Sequence, residues 1–174
     1  YCASNMNDVL TRFIASGTLE PKETMPTVAP SMDIQIPSSL ERLIYDLEGD
    51  TSSFYNQLQS EKVATLSEDA TKKLQSIFSS KSFDDEMILR EIKDFNKNYD
   101  WIVDPHTATA VSEKVSFGSN LPVVGIATAS PEKFSNVISS VIPSFSVKNS
   151  KNTEDYIVCR SDSSIVENTI KEYF

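Results

Sequence analysis

The run Pro122-Val123-Val124-Gly125-Ile126-Ala127-Thr128 constrains this chain more than any other stretch. It is apolar and β-branched with no polar spacer, the pattern of a strand covered on both faces. Such a strand needs helices above and below it, so the run predicts an α/β class with buried, parallel-type strands. Tyr1-Cys2-Ala3-Ser4-Asn5 reads like the end of another buried strand. A chain opening inside an element is expected to be a fragment.

Around these strands the periodicity is helical. Val9, Leu10, Phe13 and Ile14 share one face of a helix over 7–17, with Asn7 or Asp8 as its cap and Gly17 as its stop. Residues 18–31 hold three prolines and three threonines without apolar periodicity, which predicts a long ordered loop. Pro37-Ser38-Ser39 opens a second helix whose buried stripe is Leu40, Leu43, Ile44 and Leu47. Further helices are expected over Ser67–Phe78, Ser82–Phe95 and His106–Val115, the second with an acidic first turn that complements the helix dipole. Pro131 starts another, running to Ile142 with Phe134, Val137, Ile138 and Val141 inward. Tyr156-Ile157-Val158 reads as a short strand, and a last helix runs from about Ser164 to Tyr173. The organisation expected is one domain: a loop over 18–35, a helix-rich insertion over 36–100, a return to the sheet over 101–142, and a tail over 143–174.

Charge and residue counts narrow the function classes. Sixteen Lys and Arg against 25 Asp and Glu leave a net charge of −9, which repels a phosphate backbone and argues against nucleic acid as a partner. No apolar run approaches the ~20 residues of a membrane span, so no membrane partner is expected. Cys2 and Cys159 form no CxxC pair and read as reduced, packed thiols of a cytoplasmic protein. His106 is the single histidine, so a Cys/His or two-His metal cluster is not expected. None of the four glycines lies in a phosphate-binding GxGxxG or Walker pattern, and no GxSxG elbow supports a Ser-His-Asp triad.

Four polar clusters interrupt this apolar plan: Ser4-Asn5-Met6-Asn7-Asp8, Ser31-Met32-Asp33, Asp104-Pro105-His106-Thr107 and Thr128-Ala129-Ser130-Pro131. Two sit where a strand would hand over to a helix, the place where open α/β sheets bind ligands. Each also has a plain reading. Asn5, Asn7 and Asp8 would cap a helix, Asp33 would turn the chain, and His106 would pack at a helix start. Thr128 would be an ordinary strand residue, and Ser130 the N-cap before Pro131.

In order, these clusters resemble one family. Ser4-Asn5-Met6-Asn7-Asp8-Val9-Leu10-Thr11-Arg12-Phe13 is similar to T-N-x-N-D-I-L-x-R-F of the threonine synthases. Ala29-Pro30-Ser31-Met32-Asp33-Ile34 and Pro37-Ser38-Ser39-Leu40-Glu41-Arg42-Leu43 resemble S-P-A/S-M-D-I and S-N-F-E-R-L/I. Trp101 to Ala108 resembles Y-x-x-D-P-H-T-A-V-G, and Ala127 to Phe134 resembles T-A-H-P-A-K-F. The resemblance covers about residues 1–142.

It implies part of the three-layer αβα sheet domain of the tryptophan-synthase-β-like, fold type II, pyridoxal phosphate (PLP) enzymes, with a helix-rich insertion. The parent would convert O-phosphohomoserine and water to L-threonine and phosphate. By resemblance, Thr128 would meet the pyridine nitrogen of PLP, and Asn5, Asn7 and Asp8 would line the cofactor side of the cleft. Ser31, Asp33, His106, Thr107, Ser130 and Lys133 are the substrate-site candidates. The Schiff-base lysine and glycine loop would lie upstream of Tyr1, so the fragment alone is expected to be inactive, to hold PLP weakly or not at all, and to self-associate through its truncated sheet. Ser130 and Glu132 depart from the family's histidine and alanine. They keep a threonine synthase-like phospho-lyase and a non-catalytic fragment open as alternatives.

Overall fold

The computed structural model describes residues 1–112, 124–147, 160 and 162–173. Its organising element is a parallel pair of short strands, β1 (Cys2–Ser4) and β4 (Ser80–Ser82), in register Cys2↔Ser80, Ala3↔Lys81 and Ser4↔Ser82. Side chains alternate across a strand, so successive residues of β1 face opposite ways. Cys2 packs against one apolar cluster and Ala3 against another. The pair therefore separates two helical layers, the mixed α/β arrangement anticipated from the sequence.

The first layer gathers α1 (Val9–Ser16), α2 (Leu40–Glu48), α3 (Ser52–Glu61) and α4 (Glu68–Ile77). Val9, Phe13 and Ile14 of α1 bury against Leu40 and Ile44, Phe54 and Leu58, and Ala70 and Leu74. Phe13 and Phe54 meet edge to face at 6.1 Å. A two-residue antiparallel ribbon, β2 (Thr18–Leu19) with β3 (Ala64–Thr65), closes its far side. The second layer packs α5 (Asp85–Tyr99), α6 (Pro105–Val111) and α7 (Ser135–Val141) around Phe83, Ile88, Ile92, Ala108 and Ile138.

Caps explain most boundaries. Ser67 accepts from the Ala70 N–H and opens α4 as expected, whereas α5 starts later than Ser82 because Asp84 takes the Met87 N–H at 2.7 Å. Residues 80–82, Ser-Lys-Ser, carry no strand pattern of their own and join β1 only through backbone pairing. The region expected to be a helical insertion therefore passes back through the sheet. Helix α3 escapes the periodicity reading because only Phe54 and Leu58 bury. It ends at Lys62 in the left-handed region (φ 63°) rather than at a glycine.

The strand expected over 122–128 is not formed in its described part. Residues 124–128 adopt neither helix nor strand, and Val124 and Ile126 are 81% and 68% exposed. Among the described residues no layer covers these side chains, and a doubly buried strand exists only where layers lie on both faces. The helix expected over 106–115 runs from Pro105 and ends at Val111. Pro131 opens a 3-10 turn, Pro131–Phe134, that leads into α7, and α8 (Ser163–Tyr173) matches the final helix. The expected strand at 156–158 lies outside the described residues.

Gly17 closes α1 at φ +73°, and a Cβ there would stand 2.2 Å from Thr71 Oγ1. Gly17→Ala should therefore lower stability by about 1–2 kcal/mol from backbone strain, and further from the clash. Adding Thr71→Ala should recover only the second part. Thermal unfolding of the single and double variants checks this; equal stability of the two would leave the clash without weight.

Candidate functional site

Asn5 and Asn7 leave β1 buried, at 0% and 3% exposure, so every polar atom of their carboxamides needs a partner. Neither caps α1. Asn7 pairs with the backbone of Met25 as a strand neighbour would: its Nδ2 donates to the Met25 carbonyl at 2.8 Å and its Oδ1 accepts the Met25 N–H at 2.9 Å. Asn5 Oδ1 accepts the Asn7 N–H, and Asn5 Nδ2 donates to Asp33 Oδ1 at 2.6 Å, with Thr27 Oγ1 and the Ala29 carbonyl also in range. Asp33 takes Asn7 Nδ2 and the Thr27 hydroxyl on the same oxygen, and the Thr27 N–H on the other. The long loop is thereby ordered by side-chain amides that stand in for missing backbone partners.

Asp8 occupies the cap position of α1 but makes no cap bond. Its carboxylate binds Arg12 at 2.9 Å, and Arg12 reaches on to the Glu20 carbonyl at 2.8 Å. That placement fastens the loop's near end and turns Asp8 away from the amide network.

A second polar knot forms at the start of α6. Asp104 Oδ1 accepts the His106 N–H at 2.9 Å and lies 2.8 Å from His106 Nδ1, while Thr107 Oγ1 donates to Oδ2. His106 Nε2 accepts the Ser31 N–H at 3.0 Å, and its ring packs on Phe134 with centroids 4.7 Å apart. Burial by itself would raise the Asp104 carboxyl. Hydrogen bonds from the His106 ring, the Thr107 hydroxyl and the His106 N–H outweigh it and hold the group below the ordinary carboxylate value.

The structure thus joins Asn5, Asn7 and Asp33 in one network, and His106, Thr107 and Ser31 in a neighbouring one. Both meet at the 3-10 turn Pro30–Met32. Ser130 caps the turn 131–134 by accepting the Glu132 N–H at 3.3 Å, Lys133 is exposed, and Phe134 brings this segment to His106. Thr128 is exposed, contrary to its expected place in a buried strand. Neither Thr27 nor the carboxylate role of Asp104 is legible in the apolar periodicity of the sequence. Asp-Pro ahead of His106 was the available signal, because Asp is a strong N-cap and Pro suits the first helical position.

Two buried polar knots, one between β1 and α1 and one at the start of α6, lie on a mixed α/β framework. The particular relatives are clear. No protein-family model matches the sequence. The chain is 30% identical over 143 residues to threonine synthase of Pseudomonas aeruginosa, covering 78% of this chain and 30% of that one. It is 30% identical over 165 residues to human threonine synthase-like 1, covering 90% and 22%. The crystal structure of PLP-bound threonine synthase from Brucella melitensis superposes with a TM-score of 0.80 at 27% identity, over 98% of this chain and 39% of that one. By sequence and by fold, the chain is a homologue of threonine synthases and threonine synthase-like proteins over part of their length. It spans a third or less of the curated relatives named here.

Thr128 and Ser130 carry neutral hydroxyls and are exposed. The described lysines are exposed, except Lys81, which is half-buried and lies 5.6 Å over the Phe83 ring. None is placed in a desolvated pocket suited to a covalent anchor.

Two outcomes follow from the knots. Asn5→Ala should cost about 2–3 kcal/mol, because Asp33 loses a donor and the buried Asn7 N–H its acceptor. A cost below ~0.5 kcal/mol in denaturant unfolding would remove the network's structural weight. The depressed Asp104 carboxyl stabilises the fold fully above its ordinary value near 3.9, and that contribution is lost as pH falls through the lower folded value. Wild type should therefore lose stability as pH falls below about 4. Asp104→Asn should be less stable at neutral pH and flatter across this acid range; a parallel acid profile would place the titration elsewhere.

Proposed function

We propose that this chain forms one wall of the active site of a PLP-dependent threonine synthase, a cytoplasmic carbon–oxygen lyase of amino-acid biosynthesis. The parent would convert O-phosphohomoserine and water to L-threonine and phosphate. The observation that carries the reading is the linkage of the four motif segments in series, Asn5 and Asn7 to Asp33, Ser31 to His106 and His106 to Phe134, together with the likeness to PLP-bound threonine synthase. When bound, PLP supplies the electron sink that makes protons next to the substrate's amino-bearing carbon removable.

The chain's own residues then divide the work. Thr128 would donate its hydroxyl to the pyridine nitrogen. Being neutral, it leaves the ring less protonated than a carboxylate would, which moderates the electron sink. Asn5 and Asn7 act through the loop they hold, since the network in the chain already engages their amides. Ser31 and Asp33 shape the substrate side, with His106 and Thr107 behind them. Lys133, exposed one turn beyond Ser130, supplies positive charge for an anionic substrate. Asp8, tied to Arg12, serves as a wall residue by fastening the loop.

A phospho-lyase that releases 2-oxobutyrate is favoured by one feature. Glu132 places negative charge in the first turn after Ser130, where the related motif carries alanine. The chain by itself is proposed to be inactive, because the described residues offer no lysine suited to a Schiff base. Self-association through the exposed 124–128 segment is proposed on the exposure of Val124 and Ile126.

The test uses two preparations. Titrated with PLP and treated with borohydride, this chain should show weak binding and no stoichiometric lysine adduct; such an adduct would overturn the proposed inactivity. In the complete enzyme, Thr128→Val should weaken PLP binding by about 1–3 kcal/mol, the cost of an unpaired buried acceptor. Thermal stability of the chain should not change, since Thr128 is exposed. Unaltered PLP affinity would remove Thr128 from the cofactor. Threonine or 2-oxobutyrate as the product of O-phosphohomoserine then separates synthase from phospho-lyase.

A further inference from the structure

We propose that His106 is a positioning residue, held in one neutral tautomer, that sets the backbone at Ser31 and so aligns the 29–33 turn with the site wall. The role rests on reading Ser31 and Asp33 as part of that wall.

The ring's two neighbours decide its state. Asp104 is a carboxylate held below its ordinary value, so it offers only acceptors, and Nδ1 at 2.8 Å must carry the hydrogen. The Ser31 N–H is only a donor, so Nε2 at 3.0 Å must present its lone pair. One tautomer satisfies both partners, and the side chain is 7% exposed. A general base needs a free lone pair aimed at substrate, and here the lone pair is already spent on the backbone. His106 therefore holds the wall in place and moves no proton.

What it holds is the middle of a turn. Met32 N–H donates to the Ala29 carbonyl at 3.0 Å and Asp33 N–H to the Pro30 carbonyl at 3.1 Å, which makes 29–33 one unit. The Asp33 end is fastened to Asn5, Asn7 and Thr27, and the Ala29 end to Asn5 and Thr27. All of these bonds lie on one side, that of the amide network, and none reaches Ser31. The bond from Ser31 to His106 fixes the middle of the unit from the α6 side, and the packing of the same ring on Phe134 carries it to the turn bearing Ser130 and Lys133. His106 is thus the side chain through which the 29–33 and 130–134 segments are set relative to each other.

The experiment uses the whole 174-residue chain and needs no cofactor. Nitrogen NMR of His106 at neutral pH should show a protonated Nδ1, a bare Nε2, and a coupling between Nε2 and the Ser31 amide across the hydrogen bond. His106→Phe keeps a ring against Phe134 but has no acceptor. It should speed hydrogen exchange at the Ser31 amide by roughly tenfold, the weight of one lost hydrogen bond. His106→Gln returns an acceptor near the Nε2 position and should restore most of the protection. A protonated Nε2, an absent coupling, unchanged exchange in His106→Phe, or a glutamine variant no better than phenylalanine each overturns the proposal. Should His106→Phe fail to fold, the wild-type coupling alone decides. A failed PLP titration leaves these readouts untouched, so the two proposals fall separately.

Discussion

Two carboxamides that cannot remain unpaired govern this structure. Asn5 and Asn7 follow β1 directly into the interior, and burying an amide without partners costs several kcal/mol. Their partners are the Met25 backbone, Thr27 and Asp33, all on a loop that has no regular structure of its own at that point. Satisfying the amides therefore folds the loop, and folding the loop delivers Ser31 to His106. Removing this requirement would leave the twenty residues between β2 and α2 with little reason to adopt one path.

The parallel pair β1–β4 supplies the fixed base from which that chain of dependence starts. It is short, and its stability comes from its position between two apolar clusters rather than from its own ladder. Alternation along β1 gives one cluster Cys2 and the other Ala3. The helices on either side are ordinary amphipathic elements that need a surface to cover. Among the described residues the surface available is this ribbon and the neighbouring helices, which is why both layers meet at it.

Asp104, His106 and Thr107 show how a motif that resembles catalytic equipment can be structural in its immediate contacts. A buried Asp-His pair invites a reading as a base and its orienting carboxylate. The free end of the imidazole meets a backbone N–H, so the pair's chemistry ends in the position of a turn. The same logic holds for Asn5 and Asn7. Site walls in α/β enzymes need such supports, because a ligand-facing group is only as well placed as the residues behind it.

Local sequence determined the helices with full apolar stripes, α1, α2, α4 and α5, and the caps at Gly17 and Ser67, since period and capping are properties of neighbouring residues. It also determined the resemblance to threonine synthases, because the four motifs can be read in order without knowing their separation in space. Tertiary structure alone decided that Ser80–Ser82 is a strand, because three polar residues become one only when β1 lies alongside. It decided that Asn5 and Asn7 bind a loop instead of capping a helix, and that His106 faces Ser31 across 75 residues of sequence. It also left Val124 to Thr128 exposed, for apolar character makes a buried strand only where something covers both its faces. Periodicity is local and was legible; pairing and burial depend on what the rest of the chain brings to the same place.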